Sequence, residues 1–76
     1  MEAGRADAAL LDILADAKGS LDRKVMGSKA TRYRLKKNLD EAVGDALRDT
    51  LMSDAYVADA VSRGIITVEG STISLA

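Results

Sequence analysis

Residues 54–75 read DAYVADAVSRGIITVEGSTISL, and this stretch decides the fold. From Asp54 to Arg63 the spacing is helical: Tyr56, Val57, Ala60 and Val61 gather on one side, with Asp54, Asp59, Ser62 and Arg63 largely on the other. Ser53 is placed to cap the start. Gly64 then follows a cation, as expected where a helix ends in a left-handed residue next to its negative pole. The apolar run Ile65-Ile66-Thr67-Val68 begins at once, Glu69-Gly70-Ser71 turns the chain, and Ile73 and Leu75 alternate with polar neighbours in Thr72–Leu75. Two short runs about a glycine turn predict a β-hairpin with one buried face.

The order of helix, glycine and terminal hairpin resembles the last helix and wing of winged helix-turn-helix proteins. That resemblance implies an α+β, mainly helical fold with three or four helices followed by a C-terminal β-hairpin. It also implies a function of binding either nucleic acid or protein. The expected organisation is a flexible leader over residues 1–5 and a single winged-helix-like domain over residues 6–76.

Working outward, Leu10, Ile13, Leu14 and Ala17 recur at helical spacing, with Asp7, Asp12 and Asp16 mostly opposite, and Gly19 is the expected stop. Leu21, Val25 and Met26 suit either a short strand or a loop anchor. Leu39, Val43, Ala46, Leu47, Thr50 and Leu51 form the apolar stripe of a main core helix, within which Gly44 is either a weak point or a point of close packing. A break is expected between Thr50 and Ser53, with an unbroken helix as the alternative.

The chain has 76 residues, no Phe, Trp, Cys or His, and only two tyrosines, Tyr33 and Tyr56. Burial therefore rests on aliphatic side chains and many alanines, which hide little area each. So thin a core would gain from a second copy, which keeps a homodimer in view. Without thiols there is no disulfide and no thiolate metal site. Without imidazole as well, the usual general base and metal ligands are missing, so neither an enzyme nor a cofactor is expected. The nine aspartates read as solvated helix faces and helix starts, and Gly27-Ser28-Lys29 is only the tail of a phosphate-binding loop. The first residues lack the apolar run of a signal peptide, and no stretch approaches the about 20 apolar residues of a membrane span, so a cytoplasmic protein is expected.

A net charge of −1 conceals a partition. From Lys18 to Lys37 eight basic residues face Asp22 alone, a net +7, while the rest carries three basic residues against eleven acidic ones, a net −8. Segregation of this kind points to a polyanion or an acidic partner surface. The segment 29–37 is open to two readings. As a helix capped by Ser28 it puts Lys29, Arg32, Tyr33, Lys36 and Lys37 on one face, with Thr31 and Leu35 toward the core; as a strand it alternates. The helix is favoured by Ser28 before it and Asn38 after it.

Arg23, Lys24, Lys29, Arg32, Arg34, Lys36 and Lys37 are thus the candidate phosphate ligands, with Tyr33 as the candidate stacking group. The competing reading lets these cations complement acidic faces of the same chain or of a second copy. Asp54 and Asp59 carry the wrong sign for a major-groove recognition helix, and the hairpin tip has no Lys or Arg. The expected function is a DNA-binding regulator or accessory protein with limited base reading, contacting phosphates through segment 23–37. The alternative is a protein-interaction adaptor that binds no nucleic acid.

Overall fold

The computed structural model describes residues 3–76. Helix α1 spans Ala3–Asp16, strand β1 Ser20–Asp22, and a 3-10 turn Arg23–Val25 leads into α2 at Met26–Lys36. Helices α3 (Glu41–Met52) and α4 (Asp54–Ser62) follow, and strands β2 (Ile66–Glu69) and β3 (Thr72–Leu75) close the chain. The fold is α+β and mainly helical, with four helices before a C-terminal hairpin among the described residues. The leader expected over residues 1–5 is helical from Ala3, because Ala6, fully buried, draws the first turn of α1 onto the core. Its first two residues lie outside the described ones.

Three of the helix ends follow one chemistry. After α4 the Gly64 amide donates to the Val61 carbonyl at 3.0 Å and Ile65 donates to Ala60 at 3.2 Å, with Gly64 at φ +78°, so the glycine stop stands where the sequence put it. Helix α2 closes in the same way on Asn38, at φ +53°. Helix α1 differs from expectation: its left-handed residue is Lys18, at φ +62°, and Gly19 is the residue after it, donating to Leu14. The two starts carry side-chain caps. Asp40 Oδ1 accepts from the Val43 amide at 2.9 Å, and Ser53 Oγ accepts from Tyr56, which breaks α3 from α4.

The strands form one antiparallel sheet in the order β1-β3-β2. Glu69 pairs with Thr72 across a two-residue turn at Gly70-Ser71, and Leu21 of β1 pairs with Ile73 on the other edge of β3. Leu21 is therefore a strand residue, while Met26 begins α2. Leu10 and Leu14 of α1, Met26, Leu47 and Leu51 of α3, and Ile66 and Ile73 of the sheet are the large side chains of one core.

The phase of α2 departs from expectation. Met26 is 1% exposed and opens the helix, so Met26, Ala30 and Tyr33 face inward. Leu35 stands about two and a half turns from Met26, on the opposite side. It is 65% exposed, and Thr31 is also exposed. Ser28, inside the helix, donates its hydroxyl to Val25 O and caps nothing. Ala46 and Val61 likewise turn to solvent, because Gly44, Leu47 and Leu51 set the inward side of α3, and Val57 and Ala60 that of α4.

Candidate nucleic-acid interface

Residues 26–36 form a helix, and the eight candidate residues divide by what the fold does with each. Arg23, in the 3-10 turn, reaches across to Asp54 at the start of α4, Nη2 to Oδ1 at 2.6 Å. Lys36 sits between two carboxylates of α1, 3.1 Å from Asp12 Oδ2 and 3.1 Å from Asp16 Oδ2. Asp16 and then Asp12, by accepting its hydrogen bonds, raise the pKa of the ammonium above its ordinary value. The competing reading of the basic run, cations complementing acidic faces of the same chain, is thus realised at Lys36 toward α1 and at Arg23 toward α4. An exposed pair of this kind is screened by solvent and weak, so Lys36 can be re-engaged by a stronger polyanion at little cost.

Arg34 leaves α2 on the other side, toward α3, and its side chain lies over Gly44. Its Nε is buried without a partner, while the guanidinium reaches a groove of about 350 Å³ shared with Thr31, Glu41, Asp45 and Arg48. Lys37 places its ammonium 5.9 Å from the centre of the Tyr33 ring, within cation-π range. Lys24, Lys29, Arg32, Arg34 and Lys37 make no ion pair among the described residues.

A second groove, of about 300 Å³, opens between α1 and α2. Lys29, Arg32, Tyr33 and Lys36 line one wall, and Asp12, Ile13, Asp16 and Ala17 the other. The structure thereby brings four candidate residues to one place and sends Arg23, Lys24, Arg34 and Lys37 elsewhere around the same helix and its leading turn. Asp12 and Asp16 are four residues apart on α1, which aims both at α2. That spacing was visible in the sequence, and only the docking of the two helices was not.

The outer side of α4 is acidic. Asp54 has a side chain 94% exposed even while Arg23 holds it. Asp59 pairs with Arg63, Nε to Oδ2 at 2.8 Å. Arg63 also grips Asp7 of α1 through two nitrogens, at 2.6 and 2.9 Å, and Tyr56 donates its hydroxyl to Asp7 Oδ1 at 2.6 Å. This cluster, not evident in the sequence, ties the last helix to the first. Arg63 and then Tyr56 hold the Asp7 carboxyl down at about 2, and burial, followed by Asp7, pushes the Tyr56 hydroxyl far above its ordinary range. Both groups serve the α1–α4 joint. Among the described residues no helix is long and apolar enough to cross a membrane.

Comparison with known proteins finds no matching family model, no matching curated relative and no matching solved structure.

Proposed function

We propose that the protein is a small, winged-helix-like, cytoplasmic nucleic-acid-binding regulator or accessory factor that holds phosphates on α2 and the turn before it. One observation carries the reading: five cations of this segment, Lys24, Lys29, Arg32, Arg34 and Lys37, have no carboxylate partner among the described residues. Unpaired Lys and Arg along one element neutralise phosphates and release counterions, which gives affinity with little sequence preference. The order of α4, Gly64 and hairpin supports the fold resemblance. The acidic face of α4 makes that helix a poor reader of bases, and α2 is the contacting element instead.

The test is fluorescence anisotropy of a labelled short duplex of arbitrary sequence, titrated at about 50 and 200 mM salt. Binding that weakens steeply with salt is expected. The variant with Lys24, Lys29, Arg32 and Lys37 changed to Glu should lose binding while its circular dichroism spectrum is unchanged. Full affinity in that folded variant would reject the reading.

A second reading, an adaptor for another protein, is favoured by the exposure of Leu35 and Met52, 65% and 52%. It predicts no nucleic-acid affinity near physiological salt, and a partner lost when Leu35 and Met52 are changed to Ser.

A further inference from the structure

The groove between α1 and α2 has the chemistry of a compartment for a single base. Its volume of about 300 Å³ is at the small end of ligand pockets, enough for one nucleotide but not for a stack of two. Tyr33, half-buried, is the aromatic surface in it, and Ile13 and Ala17 add apolar wall. Lys29 and Arg32 stand on the α2 side without carboxylate partners among the described residues. The α1 side presents Asp12 and Asp16. Each of these gives Oδ2 to Lys36, and neither Oδ1 accepts a hydrogen bond from a described residue.

These groups sort a nucleotide by its parts. Carboxylates repel a phosphate, so the phosphate belongs on Lys29 and Arg32. The same carboxylates accept from N–H groups, so the base edge pointing at α1 should carry donors. Cytosine N4 and adenine N6 amines satisfy that requirement. Thymine offers O4 in place of that amine, and its one edge donor, N3–H, lies between two oxygens that the carboxylates repel. A ring recessed in a groove can stack on a base that has left its helix but is out of reach of bases still paired within a duplex.

We propose that this groove holds one unpaired nucleotide, its phosphate on Lys29 and Arg32, its base against Tyr33, and its exocyclic amine on Asp12 or Asp16. The proposal rests on the nucleic-acid reading above and deepens it: the ligand is a single strand with amino-bearing bases, or a free nucleotide of the same chemistry.

The experiment compares short labelled oligo(dC), oligo(dT) and duplex by anisotropy, reads tyrosine emission in the same titrations, and competes oligo(dC) with free dCMP. The expected result is that oligo(dC) binds at least about fivefold more tightly than duplex or oligo(dT), the low end of what stacking one base is worth. It should also quench tyrosine emission. Tyr33→Leu, which keeps apolar packing, should lose the quench and the advantage over duplex, while Tyr33→Phe keeps the advantage. Asp16→Ala, at an exposed side chain, should bring the ratio of oligo(dC) to oligo(dT) toward one, and it carries the test if Tyr33→Leu does not fold. Displacement by dCMP at concentrations matching the strand's affinity would support the site and identify its ligand as a free nucleotide. Equal affinity for oligo(dC) and oligo(dT), or duplex binding as tight as single-strand binding, would overturn the proposal and leave the phosphate-binding reading standing. Failure to bind any of the three, or dCMP, would remove both.

Discussion

Arg34 lies across Gly44: a Cβ on that glycine would stand 2.7 Å from Arg34 Cγ and closer still to Cδ. The contact lets α2 and α3 pack along an arginine stem, and it fixes where the guanidinium emerges. Alanine in an exposed helix interior gains about 1 kcal/mol over glycine, but overpacking costs about 1–3 kcal/mol. Here the atoms in the way are mid-chain carbons whose Nε is already buried. Gly44→Ala should therefore lose about 1 kcal/mol in urea unfolding, and Gly44→Ala with Arg34→Ala should recover it, since two residues in contact are coupled. A Gly44→Ala variant more stable than its parent would show that Arg34 swings away freely.

The Asp7 carboxyl, 23% exposed and held at about 2 chiefly by the Arg63 guanidinium, makes the α1–α4 joint sensitive to acid. A free aspartate titrates near ~3.9. Because the folded value is the lower one, the stabilisation is complete above about pH 4 and is lost as the pH falls through the folded value. Asp7→Asn should cost about 1 kcal/mol at neutral pH after solvent screening, and its unfolding free energy should fall less than that of the parent between about pH 4 and 2. Parallel pH profiles would place the acid sensitivity elsewhere.

Lys18 occupies a left-handed position at φ +62° with Gly19 beside it at φ +102°. A side chain in that conformation costs about 1 kcal/mol that glycine does not incur. Lys18→Gly should raise the unfolding midpoint without changing the circular dichroism spectrum, and a lower midpoint would mean that the lysine side chain contributes more than its backbone costs.

The last third of the chain was legible because its signals are local: a serine cap, helical spacing from Tyr56 to Ala60, a left-handed Gly64, and a two-residue turn. The helical state of segment 29–37, realised through Lys36 with Lys37 as its C-cap, was legible for the same reason. The phase of α2 was not, because it is set by Met26, whose helix follows a strand, β1, that pairs with residues of β3 far away in sequence. Once that phase moved, Leu35 went to solvent and Lys36 met Asp12 and Asp16. The Asp7–Tyr56–Arg63 cluster was invisible for a related reason: it joins α4 and its C-cap to α1 across 49 residues or more, and hydropathy places Tyr56 on the apolar side of its helix and Asp7 and Arg63 on solvent sides.

Ion pairing within the fold gives the candidate cations unequal parts in binding. Lys29 and Arg32 face an open groove without carboxylate partners among the described residues, whereas Arg23 is held at 2.6 Å by Asp54. Removing a lysine or arginine that touches phosphate lowers the slope of log affinity against log salt by about 1. Lys29→Gln and Arg32→Gln should each produce that change, while Arg23→Gln should leave the slope nearly as it was, because its charge is already matched by Asp54. The measurement is the anisotropy titration repeated across salt concentrations for each variant. Equal slopes for all three would mean that phosphates displace Asp54 from Arg23, extending the contact surface to the start of α4. A parent slope left intact by Lys29→Gln and Arg32→Gln would move the contact off the α1-facing side of α2 altogether.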